Sequence, residues 1–109
     1  MLDEQQFQTL AGQALTTLSK ALNDAAEHYD FEADMNNGAL TVEFEDPPTK
    51  FVISPNSPVR QIWVSAHLRS FKLDWLPARN SFVLPETGQD LKQLIAAHVS
   101  QQLDEEVAL

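Results

Sequence analysis

The middle of this chain breaks into short strand-like runs, each closed by a turn signal and the whole set flanked by two helix-like segments. That order restricts the fold more than any other feature. The runs cover 29–36, 39–45, 49–54, 59–66, 70–75 and 80–84, rich in apolar residues at alternate or continuous positions. Their separators are Asn37-Gly38, Asp46-Pro47-Pro48, Pro55-Asn56-Ser57-Pro58, His67-Leu68-Arg69 and Pro77-Ala78-Arg79. Such short connections imply antiparallel neighbours, because a parallel pair needs a long crossover.

The flanking segments have a different period. From about residue 3 to 27, Phe7, Leu10, Ala11, Ala14, Leu18, Leu22 and Ala25 recur in steps of three and four, which draws one apolar stripe along a helix. Asp3 is the expected N-cap, with acidic residues in the first turn suiting the helix dipole. From about 88 to 106, Leu91, Leu94, Ile95, His98, Val99 and Leu103 repeat the pattern. Thr87 followed by Asp90 resembles a capping box, with Asp in the usual Glu or Gln position, and Pro85 closes the preceding strand. Placing both helices on one face of one sheet buries every stripe. The expected fold is therefore α+β: a two-layer sandwich with two terminal helices on an antiparallel sheet of five to six strands, forming a single domain over 1–109.

Composition removes several function classes. There is no cysteine, which excludes disulfides, thiolate metal sites and cysteine nucleophiles. No apolar run reaches membrane-spanning length. Asp3 and Glu4 stand where a signal or transit peptide would carry basic charge, so the expected home is a reducing cytoplasm. The formal net charge is −9, with seven Lys and Arg against sixteen Asp and Glu. That argues against nucleic acid, whose binding rests on phosphate neutralisation. It suits a basic protein partner or cations, although solubility alone accounts for many acidic chains.

The first hairpin permits a register argument. Asn37-Gly38 is a favoured two-residue turn with positive φ at both positions. Asn36 then pairs with Ala39 beside the turn, and the pairs Met35–Leu40, Ala33–Val42 and Phe31–Phe44 put six apolar residues on one face. The other face pairs Asp34 with Thr41, Glu32 with Glu43 and Asp30 with Glu45, two like-charge pairs that destabilise a sheet unless screened or bridged. Asp46 adds a carboxylate at the strand end, and Asp24 and Glu27 end the first helix close to the strand start. This field has three readings: a solvated acidic face, a weak site for hard cations, or a docking surface for a basic patch. No EF-hand spacing is present.

The run Pro58-Val59-Arg60-Gln61-Ile62-Trp63-Val64-Ser65 raises a second question. Alternation puts Ile62 and Val64 on one face and Gln61, Trp63 and Ser65 on the other. If the first face is core, Trp63 stands in a polar row, as an aromatic contact residue does. If both faces are covered, Trp63 is simply buried. His28, His67 and His98 are scattered, without metal-ligand spacing, and His98 reads as a helix-face residue. Gly12, Gly38 and Gly88 stand alone, so there is no phosphate-binding loop or nucleophile elbow.

The segments Asn37-Gly38-Ala39-Leu40-Thr41-Val42, Phe51-Val52-Ile53-Ser54, Pro58 to Ser65 and Leu73-Asp74-Trp75 resemble the frataxin family, whose bacterial members are called CyaY. The resemblance spans nearly the whole chain, and its specific parts are Gln61-Ile62-Trp63 and Asp74-Trp75. It implies a frataxin-like sandwich and a non-catalytic role in iron–sulfur cluster assembly in the cytoplasm. It also implies weak ferrous or ferric iron binding, no organic cofactor, and docking on a cysteine desulfurase and its scaffold protein. The chain is then expected as a monomer, with iron-driven oligomerisation as an alternative, and without membrane or nucleic-acid partners. Carried over by position, the iron-binding ridge maps to Asp24, Glu27, Asp30, Glu32 and Asp34, and the partner contacts to Arg60, Gln61 and Trp63. The chain departs from the family at Ser19, Lys20 and Asn23, where relatives carry acids, which thins the ridge. Ser54 replaces a usual Asn, with an effect expected on the turn before Asn56, and Phe82 replaces a frequent Trp. Rival readings are a ferroxidase or iron-storage protein, and an acidic chaperone-like binding module.

Overall fold

The computed structural model describes residues 2–45 and 47–109. Its element order is helix α1 (Glu4–Ala26), strands β1 (Glu32–Asn36), β2 (Ala39–Glu45), β3 (Pro48–Asn56), β4 (Gln61–Ala66), β5 (Arg69–Leu76) and β6 (Ser81–Val83), then helix α2 (Leu91–Leu103). The strands form one six-stranded sheet in sequential order, every neighbouring pair antiparallel. The sheet and the two helices make an α+β sandwich, as the two stripes require.

Both helices begin on an aspartate. Asp3 accepts from the Gln6 N–H at 2.7 Å while the Gln6 side chain accepts from the Asp3 N–H at 3.1 Å. Asp90 and Gln93 repeat the arrangement at 2.8 and 3.0 Å. Each box satisfies N–H groups that have no partner within the helix. Asp90 is thus the cap itself rather than the partner of Thr87, which instead accepts from Gln89 N–H in the preceding loop. The α1 stripe buries Phe7, Ala11, Leu15, Leu18, Leu22 and Ala25. Leu15 joins it, while Leu10 and Ala14 sit at its half-buried margin. On α2, Leu91, Leu94, Ile95 and Val99 are buried.

The inner sheet face supplies Leu40, Val42, Phe51, Ile53, Ile62, Val64 and Leu73, each 1 % exposed or less. Phe82 lies in this core, edge-on to Phe7 at 5.8 Å and to Trp75 at 5.1 Å between ring centroids. Two proline-led single turns, Ser57–Val59 and Pro77–Arg79, join β3 to β4 and β5 to β6. Each ends on a left-handed residue, Arg60 or Asn80. Asn37 and Gly38 also take positive φ, as the two-residue hairpin demands. No helix among the described residues is long and apolar enough to cross a membrane.

Candidate functional site

The β1–β2 ladder holds the register expected from Asn37-Gly38: Asn36 opposite Ala39, Met35 opposite Leu40, Ala33 opposite Val42, Asp34 opposite Thr41 and Glu32 opposite Glu43. It stops there. β1 starts at Glu32, so Asp30 and Glu45 are not ladder partners. The cause is the climb from the helix layer to the sheet. Tyr29 N–H still bonds the Ala25 carbonyl at 3.1 Å and Phe31 N–H turns onto the Tyr29 carbonyl at 3.1 Å, which keeps residues 29–31 in a bend. Phe31 nevertheless meets Phe44, with centroids 5.7 Å apart. Met35, at the far end of the edge strand, is 42 % exposed.

Glu27, Asp30, Glu32, Asp34, Glu43 and Glu45 line one open depression of about 610 Å³ with Asn23, Tyr29 and Phe44. Four of the five expected ridge residues are thus gathered. Asp24 borders a separate groove with Glu27, His28, Glu106 and Leu109. All these carboxylates are exposed. Among the described residues, the ion pair within 4.0 Å is Arg79–Asp90, and no group of three His, Asp or Glu is arranged to hold one ion. Glu43 does face Lys50 on β3, so one cation lies beside the Glu32–Glu43 pair. Asn23, on the rim where the ridge lacks an acid, donates to the Ser19 carbonyl at 2.9 Å. Asp46 lies outside the described residues.

The depression is a negative field open to water. Its oxygens suit a hydrated hard cation held by a few carboxylates, or the approach of basic side chains.

The outer face of β4 is organised differently. Ile62 and Val64 are buried while Trp63, between them, is 38 % exposed. The indole N–H donates to Gln61 Oε1 at 3.0 Å, and Gln61 Nε2–H donates to Asp74 Oδ1 at 2.9 Å. Gln61 and Asp74 are ladder partners, as are Trp63 and Lys72. The Lys72 ammonium lies 5.0 Å from the indole centroid, within cation–π range. Trp63 is therefore exposed yet held in one orientation by its neighbours. The sequence reading singles out Asp74 without placing it beside Gln61 and does not include Lys72; pairing β4 with β5 in register brings both into the row.

Arg60 does not join this row. It precedes β4 with φ 55°, and its guanidinium is turned back onto the Ser57 carbonyl. Ser54 sits within β3, opposite Trp63, so its substitution bears on the outer face rather than on a turn.

A family model described as a frataxin-like domain matches residues 1–105. The iron-sulfur cluster assembly protein CyaY of Azotobacter vinelandii is 29 % identical over 92 residues, covering 83 % of this chain and 83 % of that protein. The protein of the same name from Cupriavidus metallidurans is 29 % identical over 108 residues, covering 93 % and 90 %. The solved structure of a frataxin from Psychromonas ingrahamii superposes with a TM-score of 0.84 at 22 % identity, over 98 % of this chain and 97 % of that one. With a domain match running almost end to end, this chain belongs to the frataxin-like family.

Proposed function

We propose that this protein is a non-catalytic adaptor of iron–sulfur cluster assembly. It attracts iron weakly along the acidic edge and docks through the Trp63 face on a cysteine desulfurase and its scaffold protein. The observation that carries the reading is Trp63: a large aromatic left on the solvated sheet face and braced there by Gln61, Asp74 and Lys72. An exposed, oriented aromatic is the usual anchor of a protein interface, because ordering it costs little extra on binding. The pathway is supported by relatives named for iron–sulfur cluster assembly.

Glu27, Asp30, Glu32 and Asp34 would share the iron, with Glu43 and Glu45 adding to the field. Ions held this way keep most of their water and exchange quickly, which fits an attracted cargo better than a resident centre. The same charge would draw in a basic partner surface before close contact forms.

The test is a pull-down with purified desulfurase and scaffold, with and without ferrous iron. The wild-type chain should retain the desulfurase, and Trp63→Ala should lose it while staying folded. Equal retention by Trp63→Ala would overturn the docking face. Ferrous iron should also raise the melting temperature through preferential binding to the native state. A gain unchanged in the Asp30→Asn/Glu32→Gln/Asp34→Asn triple variant would remove the edge as the iron site.

A further inference from the structure

His67 and His98 belong to neither surface. His67 and Leu68 form the two-residue turn between β4 and β5, with φ 51° and 63°. Both are non-glycine residues in the left-handed region, which carries a steric cost. Leu68 is fully exposed, so its own packing does not offset that cost. The His67 ring does make contacts. Its Nδ1 is 2.8 Å from Nδ1 of His98 on α2, and its Nε2 is 3.0 Å from Oε1 of Gln102 on the same helix. Gln102 Nε2 donates to the Pro47 carbonyl at 3.3 Å. Phe51 packs edge-on to both imidazoles, at 5.0 and 6.1 Å, and Phe71 lies 5.1 Å from His98. One side-chain chain thus ties the β4–β5 turn, α2 and the turn after β2.

The protons can be placed from these contacts. Gln102 gives its amide N–H to Pro47, so its oxygen faces His67, and His67 Nε2 carries hydrogen. A neutral His67 then has a bare Nδ1, which must accept from His98 Nδ1–H. One added proton on the pair is accommodated, because a single hydrogen can still lie between the two Nδ1 atoms. A second proton is not. It leaves two N–H groups facing each other across 2.8 Å with no acceptor between them.

We propose that the His67–His98 pair is a proton-operated latch, fastening the β4–β5 turn to α2 and opening when both rings are charged. The surroundings oppose that second charge. Burial, the His67 charge and the Arg69 guanidinium together hold the His98 pKa below its ordinary value. The charged or titratable groups acting on His98 among the described residues are His67 on the turn and Arg69 at the start of β5. β3 presents Phe51, β5 presents Phe71 and α2 presents Gln102, none of them ionisable. Because the folded value is lowered, the unfolded chain binds more protons from the ordinary value of 6.5 down to the folded value. The contribution to stability is complete above that window and is lost as pH falls through it, by about tenfold in the folded-to-unfolded ratio per pH unit.

Imidazole ¹⁵N spectra of the full chain between pH 8 and 5, with amide exchange at Arg69, the first ladder residue after the turn, test the latch. At pH 8, His67 should be the Nε2–H tautomer and His98 the Nδ1–H tautomer. Between pH 6.5 and the lower folded value of His98, exchange at the turn, corrected for intrinsic chemistry, should rise about tenfold per pH unit. His98→Gln should abolish that pH response. The same tautomer in both rings, exchange that follows intrinsic chemistry alone, or a pH response surviving in His98→Gln would each overturn the proposal. Should His98→Gln not fold, the wild-type tautomers and exchange rates decide by themselves.

Discussion

The acidic edge and the Trp63 face lie on one sheet, yet they are held in opposite ways. Around the edge, Glu27, Asp30, Glu32, Asp34, Glu43 and Glu45 share a depression without a side-chain hydrogen bond or close ion pair among them. On β4 and β5, Trp63, Gln61, Asp74 and Lys72 form a connected set with defined distances. A field of exposed charge acts at a distance, weakens with salt and tolerates loose geometry. A braced aromatic acts only on contact and depends on shape. Under the proposed function, the first region attracts and the second holds.

The contrast breaks most visibly inside β4. Ile62→Ala should cost about 2–5 kcal/mol of stability, as core truncations do. Trp63→Ala, one residue on, should cost less than about 1.5 kcal/mol, because the ring is only partly covered and surface changes are small. Urea unfolding of both variants checks this. Equal losses would make Trp63 a core residue and dissolve the distinction between the faces.

Partner binding sharpens the comparison next. Trp63→Ala should weaken desulfurase binding by about 2 kcal/mol or more, the size of an interface anchor, or roughly 30-fold in Kd. The Asp30→Asn/Glu32→Gln/Asp34→Asn variant should lower the association rate at low salt by about tenfold, with its dissociation rate little changed. In the absence of iron it should be slightly more stable than wild type, by about 0.5 kcal/mol, since Glu32 lies directly opposite Glu43 and like charges across a ladder repel. Surface plasmon resonance and thermal melts separate these effects.

Smaller changes probe each region's internal order. Gln61→Ala removes the acceptor of the indole N–H and should weaken binding by about 0.5–1 kcal/mol, the net worth of one such hydrogen bond. Asp24→Asn should change the iron-induced thermal gain least, because Asp24 borders another groove. A loss as large as that of the triple variant would merge the two grooves into one site.

Much of this was legible in the chain itself, for identifiable reasons. Period-two alternation puts Ile62 and Val64 opposite Trp63 whatever the rest does, and Asn37-Gly38 pins the register down to Glu32–Glu43. The two helical stripes require a common sheet face. Other features depend on what lies across space. The bend at residues 29–31 comes from α1 running into the layer change, so extending the ladder to Asp30 and Glu45 fails. Thr87 and Asp90 are both good caps, and the choice of Asp90 follows from Gln93 completing its box. Arg60 looks like part of the Gln61–Trp63 row until its left-handed backbone turns it back onto Ser57. The contact between His67 and His98 joins a turn to a helix far along the chain, and no spacing rule reports it.

The most direct measurement is stopped-flow association and dissociation of the desulfurase over a series of salt concentrations, using wild type, the triple acidic variant and Trp63→Ala. The wild-type association rate should fall steeply with salt, the triple variant should lose most of that slope, and Trp63→Ala should keep the slope while dissociating roughly 30-fold faster. Association independent of salt in the wild type, or a Trp63→Ala complex that dissociates at the wild-type rate, would contradict the division between an attracting edge and a holding face.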